Sequence, residues 1–261
     1  MKLAIIHKNN DSTVELVEQF KSVCPFETCS LSSLSNGTEY DLIIAFGGDG
    51  TILKAVPYAV QSSKPIIAVN TGNLGFLSAY SPDQLKQLLQ DISNNSIEYE
   101  EKNLLECNFD NKTCYALNEF VIEREHSLRC ESNRFTVYFN ENFANEYTAD
   151  GILIATPTGS TGYSFSAGGA VLHPNLNGYS VTAICSHLPN CASYVVPTDY
   201  NVEIKVSKST KPCNVFSDGV FVGNIECERS IKINQSNKTI KIAKSNDFFA
   251  VVRSKLLGFN K

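Results

Sequence analysis

Two short apolar segments, each followed directly by a glycine-containing loop, constrain the fold of this chain more than any other feature. Leu42–Phe46 leads into a GGDGT segment at residues 47–51, and Ile66–Val69 leads into a second loop that begins at Asn70. Uninterrupted apolar runs of this length are typical of strands buried on both faces of a parallel sheet. Because the carboxyl ends of parallel strands meet at one edge of the sheet, we expect the two loops to border one crevice.

The segments around these strands indicate crossover helices. Leu3 to Ile6 is a further buried strand, and Ser12 and Glu15 after it have the spacing of a capping box. Apolar residues then recur at helical spacing, at Val14, Val17, Phe20 and Val23. Another helix is expected to begin at Ser81-Pro82, with Leu85, Leu88 and Leu89 on one face. Alternation of this kind predicts an α/β domain with a Rossmann-like parallel sheet over residues 1–95.

The pattern changes to a period of two beyond the polar break at residues 94–96. The alternating apolar sets are Phe135/Val137/Phe139, Val202/Ile204/Val206, Ile231/Ile233 and Ile240/Ile242. Turns are expected at residues 110–112 and 236–238. This pattern predicts a β-rich second domain over residues 96–244, mostly antiparallel and built as a sandwich of two sheets. The apolar stretch within residues 245–261 is expected to return to the first domain.

Composition excludes several classes of function. The formal net charge of -5 gives no general attraction to nucleic acid or to anionic membranes. The nine cysteines show no C-x-x-C pair, which favours reduced thiols and predicts no metal site built from them. No apolar stretch approaches the length of a membrane span, and the apolar run at the start is too short for a signal peptide. We therefore expect a soluble, cytoplasmic protein.

The GGDGT loop is a candidate phosphate site. Gly48 and Gly50 allow backbone N–H groups to approach a ligand closely, as at other loops that open a helix. Asp49 between them would repel phosphate unless it holds a metal or accepts a proton from an attacking hydroxyl. A plain Gly-Asp turn is an equally open interpretation. Lys54, one helical turn further on, either faces the phosphate or is a solvated surface residue.

Two other polar segments suggest a nucleotide. Residues 156–169 are nearly all small, hydroxylated or glycine, which suits a ligand with ribose and phosphate, and Tyr163 offers a ring for a base. The second loop, with Asn73 and Phe76, belongs to the same edge as the first. Asn118-Glu119, placed in an expected strand from Tyr115 to Ile122, needs polar partners, which ligand hydroxyls or a structural pairing would supply.

Taken in order, these segments resemble the NAD kinase family. The matching motifs are GGDGT at 47–51, N-x-G-x-L-G-F-L at 70–77, N-E at 118–119, D-G at 150–151, T-P-T-G-S-T-G-Y at 156–163, S-A-G-G at 166–169, V-V-P at 195–197, D-G at 218–219 and the K-L stretch at 255–256. Single motifs are only moderately specific, since GGDGT also occurs in lipid kinases, but the ordered set is highly specific.

The resemblance implies transfer of the terminal phosphate of ATP, or of a donor such as polyphosphate, to NAD. It implies that Asp49 accepts the proton of the 2′-hydroxyl of the adenosine ribose and that a divalent cation, usually Mg²⁺, accompanies the donor. Members of the family are homo-oligomers, so a dimer or tetramer is expected, in which Asp150 is able to act across an interface. The predicted substrate-binding residues are Gly48, Asp49, Gly50, Lys54, Asn73, Phe76, Asn118, Glu119, Asp150, Ser160, Thr161, Tyr163 and Ser166.

The sequence departs from the family pattern at a few positions. Gly162 stands where alanine is common, Ala170 where proline is frequent, and Ala192-Ser193 where an Arg-Pro pair is usual. Other functions that share some motifs are a lipid kinase of the diacylglycerol or sphingosine type and a non-catalytic dinucleotide sensor. A dehydrogenase is disfavoured because no G-x-G-x-x-G fingerprint follows an early strand.

Overall fold

The structure, a computed structural model, describes residues 1–31, 38–72, 75–109, 112–125, 133–187, 192–209, 211–244, 247–256 and 258. The chain forms two compact units, one comprising Met1–Lys102 with Thr239–Lys261 and the other Asn103–Lys238. In the described part of the chain, no helix combines the length and the apolar character that crossing a membrane requires.

The strands, in chain order, are β1 (Lys2–His7), β2 (Glu27–Ser30), β3 (Leu42–Phe46), β4 (Ile66–Val69), β5 (Tyr99–Phe109), β6 (Lys112–Ala116), β7 (Glu119–Arg124), β8 (Asn133–Phe139), β9 (Asn142–Ala149), β10 (Gly151–Ala155), β11 (Gly178–Ile184), β12 (Tyr194–Pro197), β13 (Val202–Lys208), β14 (Cys213–Ser217), β15 (Val220–Ile225) and β16 (Ser230–Ala243). The helices are α1 (Asp11–Val23), α2 (Asp49–Ser62), α3 (Leu85–Asn94), α4 (Tyr163–Ser166) and α5 (Phe248–Lys255).

The first unit contains the predicted parallel sheet. Its strands lie in the order β2-β1-β3-β4, and Ile242 near the end of β16 pairs in parallel with Ile66 of β4. The residues of β3 and β4 are all buried, as their unbroken apolar sequences predict. β3 and β4 are adjacent and parallel, so the loops that follow them lie at the same edge of the sheet.

The start of α1 differs from the prediction. Asn10, not Ser12, caps this helix. The backbone of Asn10 is extended, and its side-chain oxygen accepts the N–H of Thr13 at 3.3 Å. The capping box expected at Ser12 and Glu15 is therefore wrong. The buried face also shifts toward Thr13, and Val14 is 38% exposed.

The helix start expected at Ser81-Pro82 is confirmed. Ser81 caps a short 3-10 helix at Pro82–Gln84, and Ser81 and Gln84 form a capping box. α3 continues directly from it and buries Leu88 completely. Asn95 caps the helix at its C-terminus. Its left-handed backbone ends the helix at the polar break noted in the sequence.

The second unit confirms the two-sheet interpretation. One antiparallel sheet has the strand order β12-β11-β10-β7-β14-β15, and β8, β9 and β13 pair antiparallel in another. Phe120 and Ile154 from the first sheet share one buried cluster with Phe135 and Ile204 from the other. Burial of alternate residues on facing strands produces this arrangement, as the period of two predicts.

Two local predictions in the second half are wrong. The expected strand from Tyr115 to Ile122 is interrupted at residues 117–118, because backbone N–H groups there bond to the carboxylate of Asp218 instead of to a neighbouring strand. The turn expected at residues 236–238 lies inside the continuous strand β16. The Ser236 hydroxyl accepts the N–H of Lys238, a turn-like bond that does not end the strand. Residues 110–111 of the other expected turn lie outside the described residues.

Candidate active site

The glycine loop joins the end of β3 to the start of α2. Gly47 donates its N–H to the carbonyl of Val69 at 3.0 Å, which fastens the loop to the neighbouring strand. A Cβ atom at Gly47 would lie 2.1 Å from Oγ1 of Thr51, so only glycine fits there, whereas Gly48 and Gly50 face open space. Gly48 caps α2 without a side chain, and the N–H of Thr51 donates to the Gly48 carbonyl at 2.8 Å. The N–H groups of Asp49 and Gly50 in the first turn therefore remain available to an anion.

Asp49 is the first residue of α2, and its carboxylate is held by three donors. Oδ2 accepts the backbone N–H of Phe76 at 3.2 Å, and Oδ1 accepts that of Leu77 at 3.3 Å. The ammonium of Lys255 in α5 lies 3.3 Å from Oδ2. The Asp49 side chain is still 26% exposed, so the carboxylate is oriented by the protein and accessible to a ligand.

The second loop approaches Asp49 closely at Gly75. A Cβ atom at Gly75 would lie 2.5 Å from Oδ1 of Asp49 and 2.8 Å from the hydroxyl oxygen of Ser78. The glycine is therefore what allows the backbone of this loop to reach the carboxylate. The prediction that the two loops border one site is confirmed within the first unit by these contacts.

The remaining predicted residues of this unit differ in position. Phe76 contributes its N–H to Asp49, and Lys54 is exposed and pairs with no acidic group among the described residues. Asn73 lies outside the described residues. Sequence reasoning missed Lys255, which it noted only as part of a terminal motif, because nothing local relates a lysine to an aspartate 206 positions earlier.

In the second unit, Asp218 organises the Asn118-Glu119 pair. Its carboxylate accepts the backbone N–H groups of Leu117, Asn118 and Glu119 at 2.7, 2.7 and 3.1 Å. Burial raises the pKa of Asp218, while these three hydrogen bonds act in the opposite direction. Asn118 thus lies in the break between β6 and β7, and Glu119 is the first residue of β7.

The hydroxyl-rich segment packs directly against this pair. Thr156 donates its hydroxyl to the carbonyl of Leu117 at 2.6 Å and its N–H to that of Asn118 at 2.9 Å. Gly159 lies so close that a Cβ atom would be 2.2 Å from the Asn118 carbonyl oxygen. Ser160 is fully buried, and its hydroxyl donates to Pro157 and accepts from Leu172. Ser160 therefore holds the turn through bonds within the protein.

Glu119 has the chemistry of a ligand-binding group. The residue is 8% exposed, and among the described residues its Oε2 atom has no hydrogen-bond partner. Burial, with the nearby charge of Asp218, raises the pKa of Glu119 to about 8. A carboxyl group that keeps its proton near neutral pH both donates and accepts hydrogen bonds, as a ribose or amide group requires.

The other predicted residues surround the same segment. Tyr163 and Ser166 are exposed on α4, and the partial burial of the Tyr163 hydroxyl raises the pKa of that residue. Thr161 is half-buried and donates its hydroxyl to the carbonyl of Thr158 at 3.4 Å. Asp150 lies between β9 and β10, and its Oδ1 accepts the Nε–H of Arg124 at 2.7 Å. The second unit thus presents an aromatic ring, hydroxyls and carboxyls along one polar segment.

A glycine loop that presents a carboxylate at a helix N-terminus in the α/β unit, and a hydroxyl-rich polar segment in the β-rich unit, are features typical of a phosphotransferase that acts on a nucleotide. The ATP-NAD kinase N-terminal domain family matches residues 4–97, and the ATP-NAD kinase C-terminal domain family matches residues 117–245. The chain belongs to the NAD kinase family, the enzymes that phosphorylate NAD to NADP.

Individual relatives agree with this assignment. The chain is 37% identical over 223 residues to the NAD kinase of Petrotoga mobilis, covering 85% of this chain and 81% of the relative. It is 33% identical over 254 residues to that of a Thermoanaerobacter species, covering 95% and 89%.

Two solved structures share the fold. A crystal structure of an NAD kinase from Archaeoglobus fulgidus in complex with ATP superposes with a TM-score of 0.81 at 26% identity and covers 100% of both chains. A yeast NADH kinase complexed with NADH gives a TM-score of 0.83 at 23% identity, covering 100% of this chain and 88% of the yeast chain. The likeness extends over both units.

Proposed function

We propose that this chain transfers the terminal phosphate of ATP, or of a similar donor, to the 2′-hydroxyl of the adenosine ribose of NAD, with Asp49 as the proton acceptor. The observation that supports this assignment is the orientation of one carboxylate by two backbone N–H groups and one ammonium at the start of α2. The Archaeoglobus relative in complex with ATP supports a nucleoside triphosphate as the donor.

In the proposed mechanism the ribose hydroxyl hydrogen-bonds to the Asp49 carboxylate. As the hydroxyl oxygen attacks the terminal phosphorus, its proton passes to that carboxylate and the bond to the leaving diphosphate breaks. The N–H groups of Asp49 and Gly50 in the first turn of α2 stabilise the negative charge on the transferring group, because the helix N-terminus is electropositive. Gly48 and Gly50, which face open space, leave room for the phosphate oxygens.

The second unit supplies the proposed dinucleotide contacts. Glu119, with its unpartnered buried oxygen, and the neighbouring Asn118 side chain are the proposed hydrogen-bonding groups for ribose or nicotinamide. The exposed ring of Tyr163 offers a stacking surface. Thr161, Ser166 and Asp150 are proposed as further polar contacts from the same segment and its neighbouring strand.

The family implies Mg²⁺ with the donor nucleotide. Among the described residues, no three histidine, cysteine, aspartate or glutamate side chains converge to hold a metal ion. The residues do not fit a protein cage for the ion, and we propose that it binds through the phosphates of the donor. Proton transfer to Asp49 and stabilisation of the phosphate by helix N–H groups use atoms of the chain itself.

We also propose that the protein acts in the cytoplasm as a homo-oligomer, a dimer or a tetramer. Charge and composition support a protein that does not bind membranes or nucleic acid. The same composition disfavours the lipid-kinase alternative, which requires a basic or apolar surface facing a membrane. NADP formation from NAD with ATP, other triphosphates or polyphosphate, beside an assay with lipid micelles, tests substrate class and donor together.

Substitution of Asp49→Asn tests the central assignment. Because a general base contributes ~10²–10⁴-fold, kcat should fall by that factor while NAD still binds. Asp11→Asn is the matched control, since Asp11 is also a carboxylate in the first turn of a helix and is exposed. Wild-type kcat in the Asp49→Asn variant, with intact binding of NAD measured by calorimetry, would eliminate the proposed role.

A further inference from the structure

The C-terminal helix α5 places Lys255 beside the carboxylate of Asp49. Nζ of Lys255 lies 3.3 Å from Oδ2 of Asp49 and 5.2 Å from the centre of the Phe76 ring. We infer that Lys255 is a positioning residue for phosphate transfer, which orients the Asp49 carboxylate so that Oδ1 receives the proton. This inference rests on the role proposed above for Asp49.

The hydrogen bonds around the carboxylate distinguish its two oxygens. Each carboxylate oxygen accepts about two hydrogen bonds. Oδ2 is occupied by the N–H of Phe76 and the ammonium of Lys255, whereas Oδ1 receives only the N–H of Leu77 among the described residues. A substrate hydroxyl therefore finds an open acceptor position on Oδ1. Without Lys255, the two oxygens would each have one donor, and the carboxylate would lose this asymmetry.

Phe76 connects the lysine to the loop in two ways. Its N–H bonds to Oδ2 of Asp49, and its ring faces the ammonium that bonds to the same oxygen. The ring also packs against Phe248, the first residue of α5, with 6.0 Å between ring centres. The helix thus contacts the second loop at its first residue and at its last, which fixes the position of Lys255 relative to Asp49.

The pair is better suited to orienting a group than to stabilising the fold. The side chains of Lys255 and Asp49 are 30% and 26% exposed. Exposed ion pairs contribute little to the free energy of unfolding because water screens them. Among the described residues, no other cationic side chain pairs with Asp49. Arg253, two positions earlier on the same helix, is exposed and provides a matched control.

Steady-state kinetics of Lys255→Met with NAD and ATP test the inference. Because small misplacements of a reacting group cost up to ~10²-fold, kcat should fall ~10–100-fold with the KM for NAD changed by less than ~2-fold. Lys255→Arg, which keeps the charge, should recover most of kcat. Arg253→Met should behave as wild type. Lys255→Gln provides an uncharged variant that retains a donor, should the methionine variant fold poorly by circular dichroism.

A double-mutant cycle with Asp49→Asn separates positioning from direct contact with substrate. If Lys255 acts through the carboxylate, adding Lys255→Met to Asp49→Asn should change kcat by less than ~2-fold. An equal loss in both backgrounds, or unchanged kcat in Lys255→Met alone, overturns the inference and leaves the role of Asp49 intact. A fully active Asp49→Asn variant instead overturns the proposed function itself.

Discussion

Oδ1 of Asp218 accepts the backbone N–H of Asn118 at 2.7 Å, although the two residues are 100 positions apart in the chain. The same carboxylate also binds the N–H groups on either side of Asn118. A single half-buried side chain therefore replaces the strand-to-strand hydrogen bonds that β6 and β7 lack at this break. Its carboxylate holds the backbone from which the Asn118 and Glu119 side chains project.

Asp218→Ala should destabilise the protein strongly. The substitution leaves three backbone N–H groups without their acceptor, and unsatisfied buried donors cost ~1–3 kcal/mol each. We expect the free energy of unfolding, measured in urea, to fall by about 3 kcal/mol. Asp199→Ala removes an exposed carboxylate and should change it by less than ~0.5 kcal/mol. Equal effects of the two substitutions would contradict the role assigned to Asp218.

The raised pKa of Glu119 predicts a pH-dependent stability. Folding moves the pKa from its ordinary 4.5 to about 8. Between these values the unfolded chain releases a proton that the folded chain keeps. The contribution of Glu119 to the free energy of unfolding therefore falls as pH rises from 4.5 to 8. The glutamine of the Glu119→Gln variant does not titrate, so this pH-dependent contribution is absent. Its stability relative to wild type should therefore increase with pH.

Urea unfolding at pH 5 and pH 8.5 measures this difference. Since one pKa unit corresponds to ~1.4 kcal/mol, the advantage of Glu119→Gln should grow by as much as ~4 kcal/mol between the two conditions. Glu226→Gln, at an exposed position, serves as the control and should follow the wild-type profile. Parallel profiles for wild type and Glu119→Gln would show that Glu119 is ionised in the folded protein across this range.

Gly75→Ala should impair catalysis. The added Cβ atom would lie 2.5 Å from Oδ1 of Asp49, so the carboxylate or the loop must move. Because a displacement of about 1 Å costs up to ~10²-fold, we expect kcat to fall by about that factor. Gly72→Ala in the same loop meets open space and should retain wild-type kcat. The comparison requires only NADP formation by the two purified variants.

The parts of the structure that depend on local patterns were predictable from sequence. The unbroken apolar residues of β3 and β4 indicate parallel strands. Pro82 correctly marks a helix start, because a residue in the first turn needs no N–H for the hydrogen bonds of the helix. The alternation around Phe135 and Val202 likewise predicts antiparallel strands, because one face of each is buried.

The misses involve choices between neighbouring polar residues or contacts distant in sequence. Asparagine and serine are both favoured as helix N-caps, so the sequence alone does not decide whether Asn10 or Ser12 has the extended backbone of a cap. The interruption between β6 and β7 at Asn118 depends on the carboxylate of Asp218, and the cation that pairs with Asp49 is the ammonium of Lys255. Contacts over such separations leave no periodic signal in the chain, so only the folded structure brings these residues together.

Lys255 follows Asp49 and the whole second unit along the chain, and this order has a consequence for biosynthesis. A ribosome completes the glycine loop, the parallel strands and the whole of the second unit before it reaches this lysine. A nascent or prematurely terminated chain that ends before residue 255 thus contains Asp49 without its ammonium partner. Full transfer activity should emerge only when translation has passed the last turn of α5.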